Sequence, residues 1–116
     1  MAKIKLNQKA VAHAEYEIKF HEVEKTNCDW KAHQATEDEI DKYLETHDIE
    51  EYGLWFLGVD VELPEDSKEH YVFPYGDLKI IHRSALVAIQ KEAAEKKLHE
   101  IEEASKQLLQ KIDNKK

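Results

Sequence analysis

Scarcities bound the reading of this 116-residue chain. Cys28 is its only cysteine, which excludes an intrachain disulfide framework and predicts a reducing, cytoplasmic compartment. The three glycines, Gly53, Gly58 and Gly76, make no phosphate-binding loop. No stretch approaches the roughly 20 apolar residues of a membrane span. The opening MAKIKLNQKA carries lysines but no apolar core, so no secretory signal is expected. Arg83 is the only arginine among 17 basic residues. Nucleic-acid readers favour arginine for its fork of donors, and a formal charge of −8 repels a polyanion. The sequence therefore predicts no direct nucleic-acid binding and no membrane insertion.

What is present is charge and a modest apolar fraction. Charged residues make up 36% of the chain and hydrophobic ones 41%, enough for one small core with long solvated helix faces. One α+β domain is expected over residues 1–112, with a disordered tail at 113–116. The acid excess concentrates in residues 15–24, 37–51 and 62–69, whereas the last zone interleaves Glu with Lys.

Four zones can be read. In the first, Ile4 and Leu6 alternate with lysines, and Tyr16, Ile18 and Phe20 alternate with polar residues. Period-2 alternation favours strand for residues 15–23, although an alanine-rich 8–15 suits a helix and residues 11–23 can also be read as one helix with a poor stripe. In the second, Thr36-Glu37-Asp38-Glu39 is a capping box, and Ile40, Tyr43 and Leu44 form a helical stripe, predicting a helix over 37–46. Trp30 precedes it as an anchor onto the core. In the third, 52–59 is the most apolar run and fits a buried strand or a short helix; 62–69 is an acidic loop. Apolar runs at 70–73 and 78–82 flank Pro74-Tyr75-Gly76-Asp77, which predicts a β-hairpin with a positive φ available at Gly76. In the fourth, residues 85–112 contain neither Gly nor Pro. Ser84 is the expected N-cap, and the apolar stripe changes register near Lys96-Lys97, predicting two helices, with one continuous helix as the alternative. A small antiparallel sheet from the first zone and the hairpin, covered by about three helices, is the expected architecture.

The chain offers little overt chemistry. No two of the seven histidines stand one helical turn apart, and Cys28 with His33 matches no standard zinc pair. Cys28 has no adjacent base, and no serine stands in a nucleophile motif. No cofactor, no metal and no enzymatic activity are expected. An acidic decoy that mimics DNA is the alternative that −8 on a short chain suggests.

The segment 71–89 is the most distinctive. Arg83, alone at a strand–helix junction, suits a specific ion pair with an acid of the second zone or of 62–69. Tyr71, Phe73 and Tyr75 either form an exposed aromatic patch or fill the core. With Asp77 and His82, these residues are the candidate interaction surface or structural lock.

The pattern Y-x-F-P-x-G-D at 71–77, then H-R-S-A-L-V-A-I at 82–89 and I-E-E-A at 101–104, resembles a small uncharacterised domain of bacterial, archaeal and phage genomes. That domain occurs sometimes in or beside phage prohead maturation proteases. Residues 52–60 resemble the same group's W/Y-F-L-G-V-D stretch. The resemblance covers about residues 50–112. It implies a phage or prophage origin but no activity, and carries over no catalytic residue. Together with the lack of a catalytic constellation and the aromatic-rich segment, it leads to the expectation of a non-catalytic protein-interaction or structural module.

Overall fold

A computed structural model describes residues 3–25, 30 and 34–114. Cys28, His33 and the last two lysines lie outside the described residues, as do the expectations placed on them. The element order is β1 (Ile4–Leu6), α1 (Gln8–Phe20), β2 (Val23–Glu24), α2 (Glu37–Thr46), α3 (Ile49–Gly53), β3 (Phe56–Asp60), a 3-10 turn (Lys68–His70), β4 (Tyr71–Pro74), β5 (Ile81–His82), α4 (Arg83–Glu95) and α5 (His99–Asn114). The fold class is α+β. An antiparallel sheet of order β1-β3-β4 has β3 at its centre, and β2 pairs in parallel with β5.

The most apolar run is both things it suggested. Asp48 caps α3 by accepting from the Glu51 amide at 2.9 Å, and the chain then turns at Leu54-Trp55 into β3. As the central strand, β3 buries four of its five residues, which explains a run without the alternation of a half-exposed strand. The capping box forms as read: Thr36 Oγ1 accepts from the Glu39 amide at 3.2 Å, and the Thr36 amide donates to the Glu39 carboxylate at 3.1 Å.

Strand was expected for 15–23, but α1 is helical through Phe20. Ala10, Ala14 and Ile18 are spaced four apart and all buried; this small-residue stripe lets α1 lie close on β3 and α5. Tyr16 and Phe20 are an outward i, i+4 pair, 5.0 Å between ring centroids, so their alternation with Ile18 comes from helical geometry.

The expected hairpin is also corrected. β4 pairs with β3, and the residues after it double back on themselves only through a bridge between Gly76 and Ile81. The turn sits at 77–80 rather than 74–77, and positive φ falls on Phe73 (65°) and Leu78 (71°), not on any glycine. Gly76 is required by space, since a Cβ there would lie 2.5 Å from the Ile80 carbonyl and 2.7 Å from the Trp55 ring.

The last zone is two helices with a break where the register shifts. α4 starts at Arg83, one residue before the expected cap, and α5 runs on through Asp113 and Asn114, which were expected to be disordered. The Leu98 amide donates to the Ala93 carbonyl at 2.8 Å and the Lys97 amide to Ala94 at 3.3 Å, a Schellman ending with Lys97 at φ 59°. Leu86, Ile89, Ile101, Leu108 and Ile112 are buried between the helices and the sheet. α5 packs on α1 and β1, and α4 on β4 and β5. No helix among the described residues is long and apolar enough to cross a membrane.

A lysine in the left-handed region costs about 1 kcal/mol relative to glycine. Lys97 is exposed, so Lys97→Gly is expected to raise stability by about 0.5–1 kcal/mol in urea unfolding. A loss of stability would show that the break is not held by this motif.

Candidate functional site

The distinctive segment is built around Tyr75, which is fully buried. Its amide donates to the Trp55 carbonyl and its carbonyl accepts from the His82 amide, both at 3.1 Å. Its hydroxyl donates to the Leu54 carbonyl, so the proton between it and His13 Nδ1, 2.8 Å away, is carried by the histidine. Burial pushes the phenol pKa strongly up and keeps the group neutral. Burial also lowers the pKa of His13, outweighing the pull of Glu17, and the His13 ring meets Trp55 edge-on at 4.9 Å.

Asp77 organises the loop that follows. Oδ1 accepts from the Lys79 amide at 3.1 Å and the Ile80 amide at 3.0 Å, which stabilises the turn and the positive φ of Leu78. Oδ2 faces Nε2 of buried His82 at 3.1 Å. Burial alone would raise the Asp77 pKa, but the Ile80, His82 and Lys79 donors together hold it below the ordinary carboxylate value. Trp30 is buried, with its ring 5.0 Å from His82; the anchor role expected for it is met.

The other expected site residues are dispersed. Phe73 is buried in the core, and half-buried Tyr71 meets the His70 ring edge-on at 4.9 Å. The exposed-patch alternative for Tyr71, Phe73 and Tyr75 is therefore overturned. Arg83 does form a two-pronged pair, but with Asp113: Nε to Oδ1 at 2.9 Å and Nη2 to Oδ2 at 3.1 Å. Neither acidic region expected to receive it does so. The hydrogen bonds of this pair raise the arginine pKa and lower that of the aspartate. It ties the start of α4 to the end of α5.

A concave surface that the sequence did not reveal lies at the start of α1. Both hydrogens of the Asn7 side-chain amide are spent on the Gly53 and Phe56 carbonyls, each at 3.0 Å, so Asn7 joins α1 to α3 and β3 instead of capping its own helix. A Cβ on Gly53 would overlap the Tyr71 ring; glycine lets that ring lie against the end of α3. The result is a cleft of about 510 Å³ lined by, among others, Lys9, Glu50, Glu65, Asp66, His70 and Tyr71. His70 is only 6% exposed and its Nδ1 donates to the Leu63 carbonyl at 3.0 Å. No sequence pattern marks His70, because its partner is a loop carbonyl. Among the described residues no group of three or more His, Cys, Asp or Glu is placed to hold a metal ion.

Comparison of the chain with protein-family models, curated proteins and solved structures finds no match.

Asp77→Ala removes an acceptor of three hydrogen bonds and is expected to cost about 1–3 kcal/mol at pH 7 in denaturant unfolding. Because the folded-state pKa is depressed, the Asp77 contribution is complete above the ordinary value of 3.8 and is lost as pH falls through the folded value. The difference between wild type and Asp77→Ala should therefore shrink below pH 3.8. A difference independent of pH would contradict the ionised-acceptor role.

Proposed function

We propose that this chain is a non-catalytic interaction module of phage or prophage origin that works in the cytoplasm by binding another protein. The observation that supports this reading best is the aromatic pair on the outer face of α1. Tyr16 is 54% and Phe20 61% exposed although they pack on one another, and Lys19 lies 5.3 Å from the Phe20 ring centroid. Aromatic residues are enriched where proteins meet, and two rings in contact, here tilted at 49°, are already ordered before a partner arrives. The contact surface thus moves from the 71–75 segment, whose aromatics serve the core, to α1.

The test uses the purified chain and the major capsid protein of the phage or prophage that carries its gene. Co-elution in size-exclusion chromatography is expected, and the doubly substituted Tyr16→Ala, Phe20→Ala chain should bind at least about tenfold more weakly, as for a pair of interface aromatics. Separate elution of the wild-type chain would overturn the reading.

A second reading, the DNA mimic, draws support from a different feature. Residues 37–51 hold eight acids against one lysine, and 62–69 four against one. Lys68 joins the two regions, its Nζ standing 3.5 Å from both Glu37 and Asp41. The interleaved Glu and Lys of α5 argue against a charge array covering the whole surface. Displacement of duplex DNA from a nuclease by this chain, abolished when salt is raised, would favour this reading; no displacement at low salt would exclude it.

A further inference from the structure

The cleft at the start of α1 combines features that select a particular ligand chemistry. Three carboxylates line it, Glu50 from α3 and Glu65 and Asp66 from the acidic loop, against one lysine, Lys9. The field of two of them reaches the cleft wall: after burial, Glu50 and Glu65, with Asp48 outside the cleft, raise the pKa of the Tyr71 hydroxyl. Behind the carboxylates sits His70, more than nine-tenths buried and lining the same cleft. Its Nδ1 hydrogen goes to Leu63. In the neutral ring this leaves the Nε2 lone pair as an acceptor, with no partner among the described residues. The Tyr71 ring forms part of the wall, and aromatic surfaces favour planar cations. At the other end, the first turn of α1 has no side-chain cap and no acid. Its Gln8 and Lys9 amides are donors suited to a peptide carbonyl.

We propose that this cleft receives an arginine side chain of a partner protein, the guanidinium meeting Glu50, Glu65, Asp66 and the His70 acceptor while the α1 start holds the adjoining peptide carbonyl. The inference rests on the interaction-module reading and adds the chemistry of the partner. Arginine suits the site better than lysine, because its flat fork of donors satisfies several acceptors at once and stacks on an aromatic ring. A volume near 510 Å³ accommodates one long side chain with its flanking backbone.

The test is a titration of the isotope-labelled chain, followed by amide proton–nitrogen correlation spectra. The probes are N-acetyl-arginine-N-methylamide and its citrulline counterpart, which has the same shape without the charge. Saturable shifts confined to residues 7–9, 50–54 and 63–71 are expected with the arginine probe, with citrulline at least about tenfold weaker, as for loss of a charge-assisted contact. Glu65→Gln with Asp66→Asn, both at exposed positions, should weaken the arginine probe at least about threefold while leaving the rest of the spectrum unchanged. Equal shifts from both probes, shifts spread over the α2 acids, or no saturable shift would each overturn the proposal. Capsid protein binding without an arginine response would overturn the cleft and leave the module reading intact. An arginine response without capsid protein binding would overturn that reading alone.

Discussion

The structure turns on the buried side chain and backbone of Tyr75. Its hydroxyl joins the turn before β3 to His13 of α1, its amide extends the β3–β4 pairing, and its carbonyl starts the loop that returns to β5. A phenol can be buried at this depth only because its one donor and its oxygen both find partners. That requirement fixes the spacing between α1 and Leu54. Trp55 is then held between His13 and Tyr75, and Gly76 has to lack a side chain to pass beside the Trp55 ring. Asp77, His82 and Trp30 extend the same network, so the most distinctive stretch of the sequence is used for construction.

The surface follows from this division of labour. With Phe73 and Tyr75 inside, the exposed aromatics are those of the outer face of α1, and the charged residues sort into two regions of different character. Lys68 ties the 62–69 loop to the acids of α2 through Glu37 and Asp41, and burial together with Glu37 and Glu69 pushes the Tyr52 hydroxyl up to about 12. α5 is amphipathic and mixed in charge, with its apolar side spent on α4, α1 and β1. Most of the acid excess behind the net charge of −8 therefore lies in one part of the molecule, and the cleft opens beside that part.

Features carried by neighbouring residues were legible in the sequence. The capping box of α2 needs only Thr36 and Glu39, and the break between α4 and α5 shows in the apolar register and is closed by Lys97. Features set by distant partners were not. Tyr16, Ile18 and Phe20 read as a strand because an outward aromatic pair around one inward residue gives the same local pattern; only the match of Ala10, Ala14 and Ile18 to β3 and α5 decides for the helix. The apolar halves around Pro74 suggested a hairpin, yet β4 pairs with β3 through Pro74, and the chain doubles back only at the bridge between Gly76 and Ile81. The importance of Arg83 was visible from its isolation, but its partner Asp113 lies 30 residues on. Asn7 and His13 gave no local signal, since each acts through a carbonyl or a hydroxyl remote in sequence, and His70 gave none because its partner is a loop carbonyl.

The measurement that bears most directly on this account is the stability of Tyr75→Phe in urea at neutral pH, with Tyr16→Phe as the exposed control. The ring and its packing are kept in both, so the difference isolates the hydroxyl. The account predicts a loss of about 1–3 kcal/mol for Tyr75→Phe, because the half-buried Leu54 carbonyl and His13 each lose their hydrogen bond to the hydroxyl, and a change within about 0.5 kcal/mol for Tyr16→Phe. Equal, small effects at the two positions would contradict the claim that the Tyr75 hydroxyl holds α1, β3 and the following loop together.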